Sequence, residues 1–245
     1  MADRPYTLLS CALSIDGYLD GGTDERLHLS NAVDYARVDA VRAESDAVLV
    51  GATTVRHDNP RLLVRSARLR DERVSRGLTP TPAKVTLTRR ADLDPGAAFF
   101  TAGVADRLVY CPTGSLGRAR RRFGPVATVV DGGWQVDLGW LGEDMHGRGV
   151  RRLMVEGGAS VHTQFLTADL VDELQLVVAP FFVGNPHASR FVGTGQFPFH
   201  PGRRATLADV RPIGDVVLLR YALSSRCAAE MNELSDQAPL DGAEH

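Results

Sequence analysis

The sequence is poor in lysine, in cysteine and in long apolar runs. Lys84 is the only lysine among 28 lysines and arginines, and it begins an apolar stretch, so a catalytic Schiff-base lysine is nearly excluded. The three cysteines, Cys11, Cys111 and Cys227, form no C-x-x-C pair, which favours reduced thiols over a zinc site or a disulfide framework. No stretch approaches the roughly 20 apolar residues that cross a bilayer, and no apolar run of signal-peptide length begins the sequence. These absences predict a cytoplasmic protein.

Charge of one sign is also lacking. The formal net charge is −2 and the isoelectric point is near 6.4, so no general basic field favours nucleic acid, and any anion has to meet a local cluster. With 245 residues and 44% hydrophobic content, the chain can bury one large core. No repeat or linker marks a second domain, so we predict one domain over residues 1–225 and a polar, flexible tail over 226–245.

Apolar runs alternate along the chain with segments of helical spacing. This alternation predicts an α/β fold with a mixed, mostly parallel sheet and helices on both faces. The last strand follows a long irregular stretch, which predicts an antiparallel finish, and the charged segment 65–82 predicts a surface excursion. The predicted strands are 6–12, 47–51, 84–88, 107–111, 126–130, 152–156, 173–179 and 216–223, and the predicted helices are 32–44, 116–123, 138–147 and 161–168.

In open sheets of this kind, ligands bind beyond the carboxyl ends of the strands. We call the residues that follow the carboxyl end of a strand its exit. The first exit, "CALSIDGYLDG", places Ser14 and Asp16 after the opening strand, although Asp16-Gly17 is also a common turn dipeptide. The second exit, "VLVGATTVRHDNPRLLVR", leaves a buried strand through small residues that can start a short helix. Arg61 and Arg65 follow its proline, either as a solvated pair or as a clamp for an anionic substrate.

The third and fourth exits suit phosphate groups. "VTLTRR" places Arg89 and Arg90 directly after a strand, where they suit the extra phosphate of NADPH, although a single T-R-R is a weak motif. "LMVEGGASVHTQFL" delivers Glu156 and two glycines in front of a helix, whose N-terminus favours phosphate. It is not the G-x-G-x-x-G fingerprint, and a plain turn with an exposed edge acid is the alternative.

Together and in this order, "SIDGYLDG", "DAVLVGATTVRHDNPRLLVR", "KVTLTRR" and "LMVEGGASVHTQFLTADLVDELQLVVAPFFVG" resemble the pyrimidine reductases of riboflavin biosynthesis. The resemblance covers residues 5–223. It implies the three-layer fold of dihydrofolate reductase and NADPH as the cofactor. It also implies reduction of a ribosylaminopyrimidine 5′-phosphate, in which the ribosyl ring opens and C1′ receives a hydride. Family members commonly form homodimers through their late strands; the alternative for this chain is that Phe181 and Phe182 fill the monomer core.

The resemblance also implies roles for individual residues. Glu156 and Asp58 are the candidate acids for proton transfer during ring opening. The segment 26–30 matches a loop that touches both ligands. The implied cofactor-binding residues are Leu13, Thr54, Asp58, Thr88, Arg89, Gly157, Gly158, Ala159, Ser160 and Val161, and the implied substrate-binding residues are Asp16, Arg26, Leu62, Arg65 and Glu156. No metal is needed.

Two departures from the family pattern leave the substrate open. The loop near His28 lacks the tryptophan-threonine of fused bacterial members, and no H-x-E followed by P-C-x-x-C indicates a deaminase. Standalone members of the family act on the 2,5-diamino pyrimidinone, whereas fused members act after deamination. The role of this chain, in housekeeping riboflavin synthesis or in specialised metabolism, is also open. A dihydrofolate reductase is a rival, although Asp34 lacks the apolar surroundings typical of its acid. A protein that binds NADPH without catalysis is another rival.

Overall fold

The computed structural model describes residues 3–23, 25 and 27–227. Arg26 and the tail from 228 onward lie outside the described residues. Of the predicted tail, only Arg226 and Cys227 are described: Arg226 Nη1 donates to Asp172 Oδ2 at 3.2 Å, and Cys227 is buried. The strands are β1 Tyr6–Ser14, β2 Ala47–Gly51, β3 Ala83–Leu87, β4 Arg107–Cys111, β5 Thr128–Asp131, β6 Arg152–Gly157, β7 Glu173–Ala179, β8 Thr206–Ile213 and β9 Val216–Ala222. The helices are α1 Ala32–Glu44, α2 Ala52–Asp58, α3 Ala67–Ser75, α4 Ala98–Thr101, α5 Thr113–Phe123, α6 Leu138–Gly147 and α7 Ala159–Thr167.

All described strands join one mixed sheet. Its order is β5-β4-β3-β2-β6-β1-β7-β9-β8. The neighbours from β5 to β7 pair in parallel, whereas β9 pairs antiparallel with both β7 and β8. The predicted mostly parallel sheet with an antiparallel finish is therefore confirmed. The parallel arrangement brings the carboxyl ends of β1, β2, β3 and β6 to one edge.

Helices cover the parallel part of the sheet on both faces. One core lies under α6 and α7 and includes Leu141, Met145 and Phe165, packed against strand residues such as Leu9 and Leu49. The other lies under α1, α2, α4 and α5. Strands β2 and β6 form the centre; every residue of β2 is buried, as expected for a strand covered on both faces. This gives the predicted three layers.

Three elements were not predicted from the sequence: strand β8, helix α3 and the four-residue helix α4. Strand β8 was not predicted, because it is mostly exposed and carries charged residues and Pro212, so its apolar alternation is weak. Helix α3 lies within the charged segment 65–82, which was predicted to be a surface segment and for which no helix was predicted. Ser66 caps it by accepting from Leu69 N at 3.4 Å. Its buried Arg73 donates to the carbonyls of Ala43 and Ser45 at 2.7 and 2.8 Å, so a charged side chain anchors the helix.

The three cysteines form no disulfide in the described part of the chain. Lys84 is fully buried, and its Nζ donates to the carbonyl oxygens of Ala102 at 2.6 Å and Phe99 at 3.3 Å. Burial, followed by repulsion from Arg107, lowers the pKa of Lys84 to about 8. The Lys84 ammonium group therefore caps carbonyl groups at the C-terminal end of α4 inside the protein. Among the described residues, no helix has the length and apolar character needed to cross a membrane.

Candidate active site

The exit of β6 is the centre of the candidate site. Gly157 has φ +146° and Gly158 has φ +70° with ψ 157°, conformations that residues with a Cβ rarely adopt. A Cβ on Gly158 would lie 2.9 Å from Thr54 Oγ1, and one on Gly51 would lie 2.9 Å from Val161 Cγ2. The absence of these side chains lets the starts of α2 and α7 approach each other closely.

The two helix starts at this edge lack side-chain caps. Neither Gly51 before α2 nor Gly158 before α7 provides a capping hydrogen bond, and the first backbone bonds into α7 come from Val161 and His162 to the Gly158 carbonyl. The N–H groups at the start of a helix have no partner inside it and carry partial positive charge. Ala159 and Ser160 therefore suit contact with an anion such as a pyrophosphate.

Glu156, at the end of β6, is held by an arginine that the sequence analysis did not single out. Arg42 of α1 contacts both carboxylate oxygens; the Nη2–Oε2 distance is 2.5 Å, and Nε pairs with Oε1. The two side chains are only 14% and 12% exposed. Burial opposes the charge on Arg42, but the nearby Glu156 carboxylate raises the pKa of that guanidinium overall. Glu156 therefore has a fixed orientation at the edge of the sheet.

The polar turn after α2 has two residues in the left-handed region. Asn59 has φ 42° and Leu62 has φ 49°, and such a backbone is uncommon outside glycine. Asn59 Oδ1 accepts from Ala98 N at 2.6 Å, which ties the turn to α4. The Leu62 side chain is buried in the core, whereas Asp58 is exposed at the end of α2.

Beyond the turn, the chain binds to one face of α1. Arg65 N and Ser66 N donate to the carboxylate of Asp39 at 2.6 and 2.8 Å, and Arg42 Nη1 donates to the Leu63 carbonyl at 3.3 Å. The exposed Arg65 guanidinium lies 5.8 Å from the centre of the Tyr35 ring. Its backbone is thus fixed while its charged end reaches solvent beside the edge.

The exit of β1 is held by internal hydrogen bonds. Asp16 accepts from Ser14 Oγ at 2.6 Å, from Val183 N at 3.0 Å and from Gly184 N at 2.8 Å. Some desolvation opposes ionisation, but these donors together lower the pKa of Asp16 to about 2. The carboxylate therefore connects the β1 exit to the segment after β7, and a substrate role for Asp16 remains a prediction. Leu13 is buried in β1 directly before this exit.

The exit of β3 presents one free cation. Thr88 is buried, and its hydroxyl accepts from Ala91 N at 3.1 Å, so it shapes its own turn. Arg90 pairs with Asp92 at 3.1 Å. The exposed Arg89 side chain makes no hydrogen bond or ion pair within the described part of the chain. Arg89 is thus the basic group available to a ligand here.

At one edge, the structure brings Thr54 close to Gly158 and Val161 close to Gly51, and it places Glu156 directly before the glycine turn. The predicted role of Arg26 falls outside the described residues. The sequence analysis missed Tyr35, Asp39 and Arg42. Their spacing of four and three puts them on one face of α1, and a polar stripe on a helix expected to pack on a sheet was the signal available for finding them. Within the described ranges, no three His, Cys, Asp or Glu side chains are grouped to bind a metal ion.

Comparison with known proteins identifies the family. The profile of the RibD C-terminal domain matches residues 5–219. The chain is 38% identical over 182 residues to the 2,5-diamino-6-ribosylamino-4(3H)-pyrimidinone 5′-phosphate reductase of Archaeoglobus fulgidus, covering 74% of this chain and 83% of the relative. It is 32% identical over 227 residues to the protein of the same name from Methanothermobacter thermautotrophicus, covering 90% and 99%.

Solved structures agree in fold. A pyrimidine reductase-like protein from Corynebacterium diphtheriae superposes with a TM-score of 0.74 at 21% identity, covering 89% of this chain and 91% of the other. RibD from Acinetobacter baumannii gives 0.72 at 24% identity, and this chain spans 58% of its length. The dihydrofolate-reductase-like fold is confirmed by these neighbours. The chain belongs to the RibD C-terminal domain family, the pyrimidine reductases of riboflavin biosynthesis.

Proposed function

We propose that this protein is an NADPH-dependent reductase of a ribosylaminopyrimidine 5′-phosphate. The observation that carries the proposal is the contact of the Gly157-Gly158 turn with Thr54, which places two uncapped helix starts beside a fixed acid. Such an edge suits a dinucleotide pyrophosphate next to a substrate. When bound, the reduced nicotinamide supplies a hydride.

The residues of the chain then bind, orient and transfer protons. Arg42 holds Glu156 so that its carboxylate can accept a hydrogen bond from an N–H or O–H group of the substrate. Arg65 provides a planar cation for the phosphate or the ribosyl hydroxyls. Asp58, exposed at the end of α2, is the second candidate for moving the proton that ring opening requires. The chain thus contributes mainly orientation, which is a large part of catalysis in hydride transfer.

We favour the 2,5-diamino pyrimidinone as the substrate. The Archaeoglobus fulgidus and Methanothermobacter thermautotrophicus relatives carry that compound in their names and match over most of their own length. A pterin substrate is disfavoured because the buried Asp34 carboxylate on α1 is already paired with Arg37 Nε at 2.6 Å. Three cysteines outside any disulfide fit a reducing compartment such as the cytoplasm.

The activity test measures NADPH oxidation with three substrates in parallel. These are the diamino ribosylaminopyrimidine phosphate, its deaminated counterpart and dihydrofolate. We expect the highest kcat/KM with the diamino compound and no turnover of dihydrofolate. NADPH binding without turnover of either pyrimidine would instead support a non-catalytic binding protein.

The preference for NADPH over NADH is tested at the β3 exit. Because Arg89 is unpaired and Arg90 already pairs with Asp92, Arg89→Ala should raise the KM for NADPH roughly tenfold or more and leave that for NADH unchanged. Arg90→Ala is the matched control and should have a smaller effect. Equal increases in the KM for NADPH and for NADH in Arg89→Ala would show that Arg89 does not bind the 2′-phosphate.

We also propose that the protein is a homodimer. Register places Val178 opposite Val217, Leu176 opposite Leu219, and Leu219 opposite Val210, so these side chains share one face of the late strands. Val210 and Val217 are 50% and 39% exposed, and Phe182 at 71% does not fill the monomer core. An exposed apolar sheet face of this kind is typical of a protein interface.

A further inference from the structure

His162 is buried in the first turn of α7, directly behind the glycine turn. It is 1% exposed, and its ring packs against Phe191 with centroids 5.3 Å apart. Its Nδ1 lies 3.2 Å from the Phe191 carbonyl oxygen. Because a carbonyl can only accept, Nδ1 carries the proton in this contact. Burial lowers the pKa of His162 to about 4, with the Phe191 contact opposing, so the ring is neutral near pH 7. Its Nε2 therefore presents a lone pair.

That lone pair has no hydrogen-bond partner among the described residues. It faces the glycine turn, since a Cβ added to Gly157 would lie 3.8 Å from Nε2. Buried acceptors are nearly always satisfied in folded proteins, by protein, water or ligand. An unsatisfied one at the edge of a proposed binding site indicates a donor that arrives with the ligand.

The position of His162 limits which part of the ligand can be that donor. Gly157 lies between Glu156, on the proposed substrate side, and Gly158, which opens the proposed pyrophosphate cradle. Phe191, which holds the imidazole, also donates its N–H to the Gly17 carbonyl at 2.9 Å in the β1 exit. The imidazole thus lies between the phosphate cradle and the strand exits where the reacting ring would meet the substrate. Ionised phosphate oxygens offer no hydrogen to an acceptor.

We propose that His162 Nε2 accepts a hydrogen bond from the carboxamide N–H of the cofactor's nicotinamide, and so fixes the rotation of the reactive ring. This inference rests on the proposed NADPH-dependent function and names a further positioning residue for it. The Phe191 carbonyl sets the tautomer, and Gly157 puts no side chain between Nε2 and the turn. Val161 and the glycine turn bind the phosphates of the cofactor, and His162 binds its nicotinamide end.

The test compares NADPH with its reduced 3-acetylpyridine analogue, in which a methyl ketone replaces the carboxamide and removes the N–H donor. Binding of each to the full-length protein is measured by fluorescence titration without substrate. We expect the wild type to prefer NADPH by roughly three- to tenfold, the value of one neutral hydrogen bond. His162→Phe keeps an aromatic ring without an acceptor and should bind both cofactors equally. His162→Gln retains an acceptor oxygen and should recover part of the preference.

The possible outcomes separate this inference from the proposed function. If the wild type binds and uses NADPH but shows no preference over the analogue, or if His162→Phe keeps the preference, Nε2 does not contact the carboxamide. If His162→Phe lowered the affinity for both cofactors by the same factor, the preference for NADPH would be unchanged. That result would indicate a packing role or a bound water and would also overturn the inference. Failure of the wild type to bind NADPH at all would overturn both proposals. Urea midpoints of the variants identify any that fail to fold, in which case the wild-type comparison and His162→Gln decide.

Discussion

Arg65 illustrates how one residue can be fixed at its backbone and free at its tip. Asp39 accepts from its backbone N–H, and Arg70 Nη1 donates to its carbonyl at 2.5 Å. Its guanidinium remains exposed, with only a distant contact to the Tyr35 ring. A rigid main chain below a solvated cation lowers the entropic cost of holding an anion. Arg61 is also exposed on the same segment, and its backbone makes no such hydrogen bond within the described ranges.

We predict that Arg65→Ala lowers kcat/KM for the pyrimidine phosphate by roughly ten- to a hundredfold, because hydrogen bonds to a charged group contribute about 1.5 to 3 kcal/mol. Arg65→Lys should recover only part, since it keeps the charge without the planar fork. Steady-state kinetics measure the effect, and Arg61→Ala serves as the matched control with little change. NADPH affinity should stay constant; its loss in Arg65→Ala would assign the residue to the cofactor.

The buried imidazole of His162 predicts a pH dependence of stability. Burial lowers the pKa of His162 from 6.5 to about 4 in the folded state, so protonation favours the unfolded chain. Above pH 6.5 the imidazole is neutral in both states, so the free energy of unfolding is at its full value. As the pH falls from 6.5 toward 4, the free energy of unfolding decreases by up to about 3 kcal/mol. Urea unfolding at pH 7, 5 and 4 should show this loss in the wild type, and a smaller loss in His162→Gln. Asp16, with a pKa of about 2, titrates below this window.

At the scale of elements, the junction of β6 and α7 decides whether the site can form. Strand β6 is the central neighbour of β1 and β2, so its exit lies between theirs. The turn leaves the strand through two glycines with positive φ and enters α7 with no capping side chain. A cap would satisfy the N–H groups that the proposed ligand uses. The junction therefore favours binding over local stability.

We predict that Gly158→Ala abolishes cofactor binding while the protein still folds with reduced stability. The new Cβ would meet Thr54 Oγ1 at 2.9 Å in a backbone conformation that alanine disfavours. Gly149→Ala is the control: Gly149 also has positive φ, at +92°, but lies before β6 at the opposite edge with open space around its Cα. Fluorescence titration and urea unfolding should show a stability loss in both variants and a binding loss only in Gly158→Ala.

Periodicity and composition were sufficient to predict most elements but not the polar contacts between them. The buried strands β2 and β6 are continuous apolar runs, and they were predicted within one residue. Helix α3 was missed because its sequence, ARLRDERVS, has no apolar stripe; its Arg73 is anchored by carbonyl groups from another element. Arg42 lies on the polar stripe of α1, which marks the residue but does not identify its partner. Its partner Glu156 is 114 residues away, and local sequence patterns hold no information on such a pair.

At the scale of the whole molecule, the two halves of the sheet differ in how they are covered. Helices cover both faces from β5 to β1, whereas one face of β7, β9 and β8 carries exposed apolar side chains. No residue of the edge strand β8 is buried. A second copy of the chain that packs against this face would complete its core.

We predict that the wild type is a dimer at micromolar concentration and that Val217→Asp is a monomer, as measured by light scattering. A buried carboxylate at the interface has no partner there, which disfavours association. Val74→Asp is the matched control, since Val74 is 53% exposed on α3, which packs on α1 away from the late strands, and it should remain dimeric. A monomeric wild type, or a dimeric Val217→Asp, would contradict the proposed interface.

The central position of β1 also constrains how the chain folds during synthesis. Strand β1 pairs with β6 and β7, so this strand gains its first neighbour only when the ribosome has passed residue 152, and its second some 20 residues later. At about 5 to 20 residues per second, the apolar β1 waits roughly seven to thirty seconds. Meanwhile β2, β3, β4 and β5 pair in chain order and can assemble first. The strand that begins the sequence is thus among the last to join the sheet, and during that interval it depends on its own solubility or on a chaperone.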